Sequence, residues 1–154
     1  MVVKVVSGGQ TGVDRAALDA ALSLGIFCGG WCPKGRRAED GVIPQRYPLR
    51  ETPKTEYLQR TEWNVRDADG TLILNRGPME GGTAETAAIA SRLRKPRLII
   101  DLRNDPKPAE VREWLAKHRI NTVNVAGPRE GKRPGIYHEA KAFLQQLFQM
   151  AGHG

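Results

Sequence analysis

Hydrophobic positions along the chain alternate between short apolar runs, typical of buried strands, and longer segments with helical spacing. The run at 2–7 predicts a strand, and the alanine-rich segment from Val13 to Leu24 has the spacing of an amphipathic helix. The same reading predicts strands at 26–31, 70–74, 97–101 and 122–126, and helices at 55–66, 81–93, 108–118 and 135–150. Strands that alternate with helices predict a parallel sheet covered on both faces.

This alternation predicts one α/β domain over residues 1–150. We expect a three-layer fold with a mainly parallel sheet of five or more strands, because five predicted strands alternate with helices and 154 residues suit a single core. Residues 151–154 are expected to fray. The stretch 32–53 is rich in proline, glycine and charge, which predicts a long loop.

The composition favours an anionic ligand. Lys plus Arg number 24 against 17 Asp plus Glu, which gives a formal charge of +7. The basic residues are scattered and only 6% of residues are aromatic, so nucleic acid is not expected as a partner. No apolar run reaches membrane-span length and no cleavable apolar segment opens the chain, so we expect a cytoplasmic protein without a membrane partner.

The two cysteines, Cys28 and Cys32, are separated by three residues. That spacing fits neither a redox pair nor a four-ligand zinc framework, and no catalytic metal is expected. Two interpretations stay open: structural thiols, or a contact to a soft metal or to the sulfur of a cofactor.

Two glycine-rich junctions lead from a predicted strand into an alanine-rich helix. The first is Gly8-Gly9-Gln10-Thr11-Gly12, and the second is Gly81-Gly82-Thr83. Glycines let backbone N–H groups approach an oxyanion, and a helix N-terminus adds unpaired donors. Because ligands collect at the carboxyl ends of parallel strands, both junctions are expected in one cleft. The first junction matches neither a P-loop nor a G-x-G-x-x-G motif, so an ordinary tight turn is nearly as good an interpretation of it.

Candidate ligand-binding residues lie in the four segments that follow predicted strands. Some have ordinary alternatives: Thr11 and Thr83 as helix caps, Asp14 and Glu85 as acids that complement a helix dipole, and Asp101 as the cap of the next turn. No Ser-His-Asp set is found, so binding is expected rather than nucleophilic catalysis. The candidates are Gly8, Gly9, Gln10, Thr11, Gly12, Asp14, Arg15, Lys34, Gly35, Arg36, Asn75, Gly81, Gly82, Thr83, Glu85 and Asp101.

These motifs resemble a known family. Residues 8–15, residues 30–36 followed by Glu39-Asp40-Gly41, residues 64–70 and Gly81-Gly82-Thr83 together are similar to the family called "Putative molybdenum carrier", over nearly the whole chain. That family lies within a Rossmann-like group of nucleotide-binding proteins that includes the lysine-decarboxylase-like phosphoribohydrolases. The resemblance implies a homodimer or homotetramer that carries or stores molybdenum cofactor (molybdopterin), with molybdoenzymes as recipients.

The cofactor is a pterin with a terminal phosphate and a dithiolene-held metal. The resemblance implies that the phosphate lies on the N–H groups of 9–12 or of Gly82 and Thr83. Lys34 and Arg36 would then neutralise its charge, and Asp101 would accept from pterin N–H groups. The amphipathic helix at 136–150 is a candidate oligomer interface.

The related phosphoribohydrolases imply an alternative function. Their motif P-G-G-x-G-T-x-x-E ends in a catalytic carboxylate, whereas here the third residue after Thr83 is Thr86. Glu85 lies one residue away, roughly 100° around a helix, and is expected to point elsewhere. Hydrolysis of a nucleoside 5′-monophosphate, with Glu85 as the carboxylate, is therefore the alternative, and a nucleotide-binding sensor fits the same residues.

Overall fold

Nine strands and five α-helices make up the part of the chain that is described, residues 2–152 of a computed structural model, with side chains described for 2–149. A 3₁₀ turn at Leu102–Asn104 follows the eighth strand. The elements in chain order are β1 (Lys4–Val6), α1 (Val13–Ser23), β2 (Phe27–Gly29), β3 (Trp31–Cys32), β4 (Arg37–Ala38), β5 (Gly41–Val42), β6 (Arg50–Glu51), α2 (Tyr57–Asp67), β7 (Gly70–Asn75), α3 (Gly81–Arg92), β8 (Arg97–Asp101), α4 (Pro108–Lys117), β9 (Thr122–Ala126) and α5 (Ile136–Gly152).

The central sheet has five parallel strands in the order β2-β1-β9-β7-β8, flanked by helices, which confirms the predicted Rossmann-like α/β fold. The last strand, β9, lies at the centre between β1 and β7. After β1 the chain turns outward towards β2, and after β7 it turns outward towards β8. Right-handed crossovers then place α1 and α3 on opposite faces, which opens a crevice at the carboxyl ends of the central strands.

The two faces of the sheet carry cores of different size. On one face α1, α4 and α5 pack together over β1, β7 and β9, and the alanines of α1 are fully buried there. On the other face, the cluster between α2 and α3 consists of Val65, Ile89 and Ala90. The thinner face is where the crevice lies.

The apolar face of α5 belongs to the larger core. Ile136, Ala140, Leu144 and Leu147 are fully buried, and the helix packs against α1 of the same chain. The apolar face of α5 is thus covered within the chain, and the role of the 136–150 helix as an oligomer interface stays a prediction. None of the helices within 2–152 is long and apolar enough to cross a bilayer. The expected fraying concerns 151–154, of which 153 and 154 lie outside the described residues and the rest continue α5.

The predicted strand at 26–31 is divided in two at Gly30. Gly30 has φ +126°, and the chain there leaves the central sheet so that β3 pairs with β6 instead of continuing β2. The buried Asn64 side chain holds the new direction, because its Oδ1 accepts from the Trp31 N–H at 2.8 Å and its Nδ2 donates to the Trp31 carbonyl at 2.9 Å.

The stretch 32–53, predicted as a loop, contains a small hairpin of β4 and β5 as well as strand β6. Arg36, which is 8% exposed, connects several parts of this stretch by hydrogen bonds. The guanidinium donates to the carbonyls of Ile43, Pro44, Tyr47 and Leu49 at distances of 2.8–3.3 Å. All of the guanidinium contacts described are thus to the backbone of its own loop.

Arg36→Lys tests this role. An ammonium group cannot reach four carbonyls at once, so buried acceptors lose their partners, at a cost of about 2 kcal/mol or more in the free energy of unfolding. Urea denaturation measures it. The matched control is Arg37→Lys at the neighbouring exposed position, for which we expect a change within about 0.5 kcal/mol. Equal stability of the two variants would contradict the structural role of Arg36.

Candidate functional site

A cleft of about 390 Å³ lies where β1 and β9 end and α3 begins, which is within the size range of small-molecule sites. Four parts of the chain form its walls: the loop after β1, helix α2, the start of α3, and the loop after β9. The residues are Gly8, Gln10 and Asp14; Tyr57, Leu58, Arg60, Thr61 and Asn64; 80–83, Glu85 and Thr86; and 124–129 with Lys132.

A buried ion pair forms the floor between β1 and α2. Asp14 is 3% exposed, and its Oδ2 accepts from Arg60 Nη1 at 3.0 Å and from the Gln10 N–H at 3.3 Å. Burial raises the pKa of the Asp14 carboxyl above its usual value, and the Arg60 guanidinium opposes that rise. Gly8 makes the approach possible, since a Cβ there would lie 1.7 Å from Arg60 Nη1.

Three backbone N–H groups at the start of α1 already have partners within the protein. Besides the Gln10 N–H, the Thr11 N–H donates to the Gln10 side-chain oxygen at 3.0 Å and the Val13 N–H to the Pro128 carbonyl at 3.2 Å. The Asp14 carboxylate adds a negative charge in the same turn. An external phosphate is therefore poorly placed on 9–12, and the second glycine-rich junction becomes the better candidate.

The N-terminus of α3 is open. Its N-cap residue, Glu80, makes no side-chain capping bond, and nothing lies within 4 Å of a Cβ built on Gly82. The first-turn N–H groups of a helix have no partner within the helix. Lys132 Nζ lies 3.2 Å from the Cβ position of Gly81, so a cation stands beside these donors. Together they form a positive corner of the cleft.

The loop at 127–135 supplies this cation and is not among the site residues predicted from the sequence. Lys132 and Arg133 approach the Glu80 carboxylate at 3.9 and 3.1 Å. Arg129 binds Glu39 at 2.8 Å. A segment rich in Gly, Pro and Arg directly after a predicted strand could have indicated this loop. The loop reaches the cleft only because β9 is the central strand of the sheet.

The β4–β5 hairpin is tied to the loop after β1 by two acidic side chains. Glu39 accepts from the Thr11 hydroxyl at 2.7 Å and from the Gly131 N–H at 2.9 Å, and these bonds, with Arg129, hold the pKa of Glu39 below its usual value. Arg15 donates to the Gly9 carbonyl and to both carboxylate oxygens of Asp40. The contacts of Thr11 and Arg15 thus anchor the hairpin.

The structure gathers seven of the sixteen predicted site residues around the cleft and places nine elsewhere. Asp101 pairs with Arg103 and caps the 3₁₀ turn, and the Asn75 amide donates to the Gly77 carbonyl. The seven are Gly8, Gln10, Asp14, Gly81, Gly82, Thr83 and Glu85; the nine are Gly9, Thr11, Gly12, Arg15, Lys34, Gly35, Arg36, Asn75 and Asp101.

Glu85 is exposed and borders the cleft, and the direction of its carboxylate stays a prediction. Thr86 also borders the cleft, but it is buried and its hydroxyl donates to the Gly82 carbonyl at 2.9 Å. Cys28 and Cys32 do not line the cleft. Within the described residues, no group of three or more His, Cys, Asp or Glu is arranged to hold a metal ion.

Arg60→Gln tests the buried pair through its pH dependence. Without the cation the pKa of Asp14 rises further in the folded protein, while it stays near about 3.9 in the unfolded chain. When the pKa of a carboxyl is higher in the folded protein than in the unfolded chain, the protonated group stabilises the folded state at a pH below its pKa in the unfolded chain. That stabilisation is lost as the pH rises through the pKa in the folded protein. Relative to wild type, the free energy of unfolding should therefore fall by about 3 kcal/mol between about pH 4 and pH 8.

Urea denaturation across this pH range measures the effect. The control is the double variant Asp14→Asn/Arg60→Gln, which lacks the carboxyl and should lose the additional pH dependence. A parallel pH profile for wild type and Arg60→Gln would show that the pair does not carry the electrostatics described above.

Comparisons with known proteins agree with this architecture. The chain is 46% identical to a "Putative molybdenum carrier protein" from Syntrophus aciditrophicus SB, whose crystal structure superposes with a TM-score of 0.89 over 96% of this chain and 94% of that chain. The structure of (E)-4-hydroxy-3-methyl-but-2-enyl diphosphate reductase aligns with a TM-score of 0.41 and 13% identity, over 94% of this chain and 59% of that chain, which is too distant to carry an argument. No curated protein sequence matches significantly.

The model of one protein family covers residues 5–148. This match and the similarity to the Syntrophus protein confirm the predicted resemblance to the molybdenum carrier family. The chain belongs to the circularly permutated YpsA SLOG family.

Proposed function

We propose that this protein binds a phosphate-bearing small molecule in the cleft, with the phosphate at the N-terminus of α3. The observation that carries the proposal is the open first turn at Gly82, next to Lys132 and within a cleft of ligand size. A phosphate there accepts from first-turn N–H groups and meets the positive end of the helix dipole.

The ion pairs beside α3 allow a phosphate to take the place of a carboxylate. Glu80 is the carboxylate that pairs with Lys132 and Arg133, and its side chain is 54% exposed. Such an exposed pair contributes little stability of its own. A phosphate with two negative charges competes for the same cations at small cost to the fold.

The opposite wall suits a flat ring. Tyr57 and Leu58, in the first turn of α2, line the cleft and are 45% and 46% exposed. The Arg60 guanidinium lies over the Tyr57 ring at 5.3 Å, so the aromatic side chain already has a fixed neighbour. An aromatic and an aliphatic side chain offer a heterocycle a surface on which to stack.

Molybdenum cofactor has both a phosphate and a flat ring, and the related Syntrophus protein is named a molybdenum carrier. The residues present fit its phosphate and its pterin. The metal is held by the dithiolene of the cofactor, so the cleft needs no cysteine or histidine ligand. We therefore propose that the protein carries or stores molybdenum cofactor in the cytoplasm, as a homodimer or homotetramer, and passes it to molybdoenzymes.

Gly82→Asp tests the phosphate position. The space is open, and a carboxylate in the first turn stabilises a helix by about 0.3–1 kcal/mol, so the apo protein should unfold at or above the wild-type temperature. The same carboxylate repels a phosphate, and affinity should fall at least about tenfold. Isothermal titration against molybdenum cofactor, AMP, GMP and inorganic phosphate measures it.

The control for this experiment is Gly82→Asn, which has the same shape without the charge. Its affinity should stay well above that of the aspartate variant. If Gly82→Asp binds these compounds as tightly as wild type, the phosphate does not lie at α3.

A phosphoribohydrolase-like activity is the second candidate, favoured by two acidic residues that line the cleft, the exposed Glu85 and the buried Asp14. Glu85→Gln separates this function from carriage. In a hydrolase, the variant keeps its affinity for AMP and loses release of the base by about a hundredfold or more. Chromatography of AMP and GMP incubated with wild type and variant measures the free base. A carrier releases none in either case.

A further inference from the structure

The Gln10 side chain is oriented by two backbone donors. It is 9% exposed, and its Oε1 accepts from the Thr11 N–H at 3.0 Å and from the Glu39 N–H at 2.7 Å. An amide nitrogen cannot accept these bonds, so the oxygen and nitrogen positions are set by chemistry. The Nε2 group is left as a donor with no partner among residues 2–149, in a side chain that lines the cleft.

Thr83 presents a second such group from the other glycine-rich junction. It is 6% exposed and lines the same cleft, and its hydroxyl has no hydrogen-bond partner in the described part of the chain. Thr86, one turn later, differs, because its hydroxyl is satisfied by the Gly82 carbonyl. Neither Gln10 Nε2 nor the Thr83 hydroxyl is among the fully enclosed atoms without a partner, so both atoms keep some exposed surface, in residues that line the cleft.

Polar groups in nearly buried side chains are rarely left unpaired, because each unmade bond costs free energy. Here two of them belong to residues that line one cleft, one from the loop after β1 and one from α3. Exposed donors of this kind hydrogen-bond to water in a free protein, and a bound molecule replaces that water with its own oxygen atoms.

We infer that Gln10 and Thr83 are specificity-determining contacts that bind oxygen atoms of the ligand. Gln10 Nε2 is a fixed donor, so it selects an acceptor such as a ring carbonyl or a phosphate oxygen and disfavours an N–H group at that point. The inference deepens the proposed function and rests on it. It adds that the loop after β1 contributes through a side chain, although the N–H groups of Gln10 and Thr11 are already paired.

Two matched pairs of variants test the inference. Gln10→Glu keeps an oxygen for both backbone donors but replaces the NH₂ group by a negative oxygen, and Gln146→Glu makes the same charge change on the exposed side of α5. Thr83→Val removes the hydroxyl at constant shape and charge, and Thr83→Ser keeps it. Dissociation constants for molybdenum cofactor, AMP, GMP and inorganic phosphate are measured by titration calorimetry, with thermal unfolding of each apo protein alongside.

We expect at least about a tenfold loss of affinity for Gln10→Glu and about a fivefold loss for Thr83→Val, with both controls within about twofold of wild type. Should Gln10→Glu unfold because of the nearby Asp14 carboxyl, the uncharged Thr83 pair decides the outcome alone. The inference is overturned if Thr83→Val binds as tightly as wild type, or if Thr83→Ser loses as much affinity as Thr83→Val. The proposed function stands in both cases, because the wild-type protein still binds the compound. A wild-type protein that binds none of the four compounds overturns both.

Discussion

The ion pair of Asp14 and Arg60 is the constraint on which the arrangement of the cleft depends. A carboxylate buried in the first turn of α1 is costly unless a cation reaches it, and that cation comes from α2. Helix α2 must therefore lie across the end of β1, where only a glycine at position 8 leaves room for the guanidinium. With α2 held there, the cleft is bounded by α2 on one side and α3 on the other.

Because of this pair, the two glycine-rich junctions have different roles. The first already contains a negative charge and pairs the N–H groups of Gln10 and Thr11 internally, and it anchors the β4–β5 hairpin through Thr11 and Arg15. The second lacks a carboxylate in its first helical turn and keeps open space at Gly82. Similar sequences thus have different roles, because Asp14 follows one junction and Lys132 lies beside the other.

Hydrophobic periodicity was enough to predict all five sheet strands and all five helices, because buried faces impose a local spacing. It could not predict that β9 lies at the centre of the sheet, since strand order depends on pairing between distant segments. For that reason the basic loop at 127–135 was missed. Arg36 was assigned to a ligand because a guanidinium in a loop has the same sequence signature whether it binds an anion or four carbonyls. The division at Gly30 likewise depends on Asn64, more than thirty positions away.

The central claim is that an anionic ligand binds where α3 begins, and a backbone-amide NMR titration with AMP and inorganic phosphate tests it most directly. Our account predicts that both compounds shift the amide signals of 81–83, and that AMP also shifts the side-chain NH₂ signals of Gln10. The signals of 34–36 should remain in place, because Arg36 is engaged by its own loop. Shifts confined to 34–36, or no shifts at 81–83 under saturating AMP, would contradict it.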